Sequence, residues 1–118
     1  QDKAEMREYL SDFGIPCPAF AICDDAAQAI AFGDALGSTY SPNCVRVRAG
    51  SMVTWTGSFS GHPLASGSGG TSGSPIPSVT TGSSTSVTFR TAGFYPFYCT
   101  RHSSGDGTGM AGVVWVVP

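Results

Sequence analysis

Gly93-Phe94-Tyr95-Pro96-Phe97-Tyr98-Cys99-Thr100-Arg101-His102-Ser103-Ser104-Gly105-Asp106-Gly107-Thr108-Gly109-Met110 places a thiol, an imidazole and a thioether on what reads as one loop. An aromatic run leads into that loop, and the strand-like run Val113-Val114-Trp115-Val116-Val117 leaves it. Short apolar runs punctuated by glycine read as strands, so the loop joins two strands. Soft sulfur and borderline imidazole donors suit copper cycling between its two oxidation states, since sulfur favours Cu(I) and imidazole serves both. A second histidine is missing from the loop. The chain holds only one other, His62 in Ser58-Phe59-Ser60-Gly61-His62-Pro63-Leu64, so one centre would use both.

The 118 residues fit a single domain with room for a core of its own. Sixteen glycines, eight prolines and many Ser and Thr favour short strands joined by turns, which points to an all-β sandwich or barrel. No apolar run is long enough to span a membrane, and no positively charged leader with an apolar core is present. The sequence therefore reads as a mature form from which any export signal has been removed. If Cys99 is a metal ligand, Cys17, Cys23 and Cys44 remain, allowing one disulfide in three possible pairings and one spare thiol. Cys23 with Cys44 is favoured because each flanks a predicted strand; three buried free thiols are the alternative. A disulfide implies a periplasmic or extracellular setting.

Charge is uneven along the chain. Residues 1–38 hold seven acidic side chains against Lys3 and Arg7, whereas residues 39–118 hold Arg46, Arg48, Arg90 and Arg101 against Asp106 alone. No basic cluster with interleaved aromatics points to nucleic acid. Near the start, Met6, Tyr9, Leu10 and Phe13 recur at helical steps, predicting a short amphipathic helix that ends at Gly14. Pro16 and Pro18 then break regular structure. Residues 1–23 read as an acidic, partly helical extension and residues 24–118 as the domain.

Within the domain, strands are predicted over about 28–32, 45–48, 52–56 and 86–89, with Val45-Arg46-Val47-Arg48 alternating as a half-buried strand does. Tyr40-Ser41-Pro42-Asn43 reads as a turn. Residues 66–86, rich in Ser, Gly and Thr, read as a surface excursion with at most a short strand around Ile76 to Val79.

Several phrases now assemble. Tyr40-Ser41-Pro42, Val47-Arg48-Ala49-Gly50-Ser51-Met52-Val53-Thr54-Trp55, His62, the aromatic-Cys99-x-x-His102 step and Gly109-Met110-Ala111-Gly112-Val113-Val114 resemble the cupredoxins, especially their plastocyanin-like branch, over roughly residues 28–118. The resemblance implies a Greek-key β-sandwich of about eight strands holding one type 1 (blue) Cu(I)/Cu(II) ion and carrying electrons. Position by position, it implies His62 and His102 as nitrogen ligands, Cys99 as thiolate and Met110 as axial thioether. Three ligands would sit on one loop and His62 would come from a distant strand.

Two departures from the family pattern stand out. Seven residues, Ser103 to Gly109, separate His102 from Met110, more than in plastocyanin. Pro63 follows the first histidine, where many relatives offer a backbone N–H to the thiolate and proline has none. The implied role is an electron shuttle, not an enzyme, since no histidines remain for a second metal. The alternative is a periplasmic copper-binding or copper-resistance protein, against which only three methionines count. The implied partners are redox proteins such as c-type cytochromes or a membrane oxidoreductase, met by a monomer through the exposed edge of His102.

Overall fold

The computed structural model describes residues 21–22, 27–33, 39–103 and 109–118, and the chain there is all β. Nine strands occur among the described residues: β1 (Ala21–Ile22), β2 (Ala27–Gly33), β3 (Thr39–Ser41), β4 (Cys44–Arg48), β5 (Ser51–Thr56), β6 (Leu64–Ser66), β7 (Ser84–Phe89), β8 (Gly93–Cys99) and β9 (Ala111–Val117). They form two sheets, one ordered β1-β4-β9-β8-β6 and the other β3-β2-β5-β7. The predicted helix near the N-terminus lies outside the described residues, as do Cys17, Cys23, the boundary at residues 23 and 24 and most of the insert after His102.

Alternation along each strand decides which side chains meet between the sheets. From β4 come Val45 and Val47, from β5 Val53 and Trp55, from β7 Val87 and Phe89, and from β8 Tyr95, Phe97 and Cys99, all in one buried cluster. Trp55 and Phe97 meet edge to face at 5.2 Å, and Phe97 meets Tyr40 the same way at 4.7 Å. These rings tie the two sheets together in the cluster that also holds Cys99, two residues beyond Phe97 on β8.

β8 and β9 are apolar on both faces. The side of their sheet turned away from the main core carries a second buried cluster of Cys44, Phe94, Ala111, Val113 and Trp115. Phe94 stacks on Trp115 at 5.2 Å, and the Arg46 guanidinium lies 5.6 Å from the Trp115 ring centroid. Cys44 is disulfide-bonded. That bond excludes the alternative of three free thiols, while both candidate partners lie outside the described residues.

One local expectation is corrected. Residues 39–41 form β3, antiparallel to β2, and the chain turns only after it, at the cis Ser41–Pro42 peptide. Tyr40 was read as a turn residue because Ser, Pro and Asn surround it, yet burial of its ring fixes the backbone as strand. Around Ile76 to Val79, where at most a short strand is expected, there is an isolated bridge between Val79 and Leu64. The partner segment, β6, is itself only three residues long.

Candidate metal centre

Cys99 is the last residue of β8, held between Leu64 of β6 and the start of β9. Inward alternation places its thiol in the core, fully buried and not disulfide-bonded. Immediately beyond it the chain makes a tight turn in which the His102 N–H donates to the Cys99 carbonyl at 3.2 Å. The Met110 N–H donates to the His102 carbonyl at 3.0 Å, and the Cys99 N–H to the Met110 carbonyl at 2.9 Å. Three backbone bonds therefore fasten Cys99, His102 and Met110 to one another whatever lies between residues 103 and 109. Gly109 makes the last approach possible: its φ is +72°, and a Cβ there would collide with the His102 carbonyl.

His62 arrives from the turn between β5 and β6, not from a strand as the sequence had led us to expect. Its N–H donates to the Ser58 carbonyl at 3.0 Å, and Phe59, wholly buried, donates its own to Gly82 at 3.1 Å. Phe32 presses edge-on against the His62 ring at 6.1 Å and tilts against Phe59 at 5.0 Å. Phe32, itself backed by the buried Phe59, thus flanks the imidazole. Sequence reading assigned neither of them a part in the site; the only clue to Phe59 was its position three residues before His62.

The side chains converge. The Cys99 Sγ lies 3.7 Å from the His62 Nδ1 and 3.2 Å from the His102 Nδ1. The ligand atoms of these three residues all lie within 4.8 Å of one another. Donors bound at about 2.0–2.3 Å to one ion, at trigonal to tetrahedral angles, stand roughly 3.3–3.8 Å apart. The three groups fit a single metal ion with little adjustment. Met110 is buried in the same core cluster as Cys99. His62 is only 3% exposed, whereas His102 is exposed, so one imidazole of the pair reaches solvent.

One further residue is drawn in by the electrostatics. Tyr40 has its ionisation driven far above the usual range, first by burial and second by the charge of Cys99. Its hydroxyl finds no hydrogen-bond partner among the described protein groups.

Comparison with known proteins places these features. The model of the family described as copper binding proteins, plastocyanin/azurin family, matches residues 28–117. Among solved structures the fold is similar to pseudoazurin from Methylobacterium extorquens, with a TM-score of 0.61 and 23% identity over 76% of this chain and 74% of that one. It is similar to pseudoazurin from Sinorhizobium meliloti at a TM-score of 0.64 and 24% identity, covering 78% of this chain and 74% of that one. A Cu(I) structure of an amicyanin variant gives 0.58 and 24% identity over 79% of this chain and 84% of that one. No curated protein matches the chain.

Proposed function

The chain belongs to the plastocyanin/azurin family of copper-binding proteins, and we propose that it carries single electrons through one type 1 copper ion held by His62, Cys99, His102 and Met110. The observation that carries this reading is the convergence of two imidazole Nδ1 atoms on one buried thiol. Two histidines and a cysteine with a weak axial methionine form the donor set of blue electron-transfer sites. Bound there, copper supplies a one-electron couple.

The protein residues do the rest. Cys99 and His62 are shut away from water, which keeps the donor set from being exchanged for solvent. Backbone bonds among Cys99, His102 and Met110, and the phenylalanine wedge on His62, hold one geometry for both oxidation states. His102 presents the exposed edge and serves as the port. Arg101 beside it favours a partner with acidic groups around its own redox centre, such as a c-type cytochrome or a membrane oxidoreductase. The Cys44 disulfide favours the periplasm or the cell exterior. Catalysis is not part of the proposal, since both histidines serve the one metal.

Addition of Cu(II) to the pure protein tests this. An intense visible thiolate-to-copper band should appear and should vanish in Cys99→Ser. Without the band the reading fails. Met110→Gln should move both the band and the reduction potential; if neither moves, Met110 is not a ligand.

A further inference from the structure

We infer that residues 1–20 of this chain lie across the outer face of the five-stranded sheet, tied down beside Cys44, and close that face to other molecules. Register draws the face into rows, Cys44 beside Val113, and Arg46 beside Trp115 beside Phe94. Every hydrophobic residue described in this cluster belongs to the sheet itself. The other sheet packs on the opposite side, where the main core lies. Large rings standing on an uncovered sheet face are open to water, yet Phe94 is 4% exposed and Trp115 6%. The loop that passes the Pro96 ring at the β8 rim, Gly67 to Thr71, adds no hydrophobic residue to the cluster. Another segment therefore covers the rings.

Four stretches lie outside the described residues: 1–20, 23–26, 34–38 and 104–108. Residues 34–38 join β2 to β3 within the other sheet, and residues 23–26 carry β1 over to it. Residues 104–108 read Ser-Gly-Asp-Gly-Thr, with nothing apolar to bury. Only residues 1–20 have both the length and the side chains, Met6, Tyr9, Leu10 and Phe13 recurring at helical steps. A helix is about 10 Å across, the width that β4, β9 and β8 span together at about 4.8 Å between strands.

Two anchors place the segment. β1 pairs in parallel with β4, Ala21 opposite Val45, so the chain before it departs beside Cys44. Cys44 is disulfide-bonded and Cys99 is not, so the bond goes to Cys17 or Cys23 and pins the chain at that edge. Charge agrees with the placement. Residues 1–20 hold four acidic groups against Lys3 and Arg7, while the Arg46 guanidinium lies on the Trp115 ring of the covered face. An apolar face left open invites association with other molecules, and the segment removes that surface from solvent.

Nuclear Overhauser contacts in the metal-free or Cu(I) protein test this on the wild-type chain. They are expected within one chain between the Phe94 or Trp115 ring and the side chains of Met6, Tyr9, Leu10 or Phe13. Contacts to none of residues 1–20 overturn the inference. So do contacts that arise only between differently labelled copies, since a second molecule would then be the cover. The full chain carrying both Leu10→Asp and Phe13→Ser should release the segment. Its Trp115 indole N–H should exchange with water about tenfold faster or more, with the Trp55 indole, wholly buried in the main core, unchanged as the internal reference. No acceleration, or the same acceleration at both indoles, overturns the inference. Neither readout uses the metal, so the outcome stands apart from the copper reading.

Discussion

Tyr40 shows how one side chain can be correct for packing and costly in polarity. Its ring meets Phe97 at 4.7 Å and Phe32 at 5.5 Å, yet its hydroxyl is buried without a hydrogen-bond partner among the described residues. An unpaired buried donor costs about 1–3 kcal/mol, so Tyr40→Phe should keep the packing and raise stability by about 1 kcal/mol in denaturant unfolding. The same residue sets an alkaline limit. Burial, and then the Cys99 charge, raise its folded pKa, while in the unfolded chain tyrosine ionises near about 10. Stability is therefore intact below that pH and declines above it, as the unfolded state alone loses the proton. Tyr40→Phe should flatten that decline; parallel alkaline losses in both proteins would rule Tyr40 out as its source. Gly109 is the opposite case, a residue valued for what it lacks. Gly109→Ala forces a side chain onto the carbonyl that anchors Met110, and should cost about 1–3 kcal/mol and weaken copper retention against a chelator.

At the scale of elements, the pattern was legible wherever a strand faces two different environments. Val45 and Val47 turn inward while Arg46 and Arg48 turn out, and that contrast is printed in the sequence. It disappears in β8 and β9, whose outer face is also buried, so the run from Ala111 to Val117 gave a strand but not its facing. β6 has three residues, too few to show any period, and the His62 turn was mistaken for strand for the same reason. The ligand identities were readable because spacing around Cys99 is chemical as well as structural. The direction of the His62 ring was not, since the ring against it, Phe32, comes from β2, far away in the sequence.

The segment between β6 and β7 was expected to bury little, but it is stitched to the sheet. Gly67 donates to Pro96 and Thr71 to Phe94, both at 2.8 Å, while Val79 and Leu64 exchange bonds at 2.9 and 3.0 Å. Gly70 permits this approach, because a Cβ there would collide with the Pro96 ring and the Phe94 carbonyl. Ile76, only 6% exposed, enters the main core from the same segment. Its truncation in Ile76→Ala should cost about 2–3 kcal/mol in unfolding free energy and leave the visible spectrum of the copper-loaded protein unmoved. A spectral change would show that the segment shapes the centre as well as the core.

Across the whole molecule, the charged side chains among the described residues are four arginines, and all eight acidic groups of the chain lie outside those residues. Strand direction sorts the arginines by pole. β8 runs from Gly93 to Cys99 and β7 ends at Phe89, so Arg90 sits at the pole opposite the thiol, and Arg48 ends β4 at that far pole too. Arg46 is occupied by the Trp115 ring. Arg101 is then the described charge closest to the His102 port, on a chain whose net charge is −2. A distant anionic reagent is repelled by the whole protein, but one already at the port is attracted locally, and screening acts over about 10 Å at 0.1 M salt. Arg101→Ser should therefore slow electron transfer to a small anionic complex and quicken it to a cationic one at low ionic strength. Both differences should shrink as salt is raised, because exposed charges steer encounter without changing the site. Rates that ignore this substitution at low salt would place the electron port away from His102.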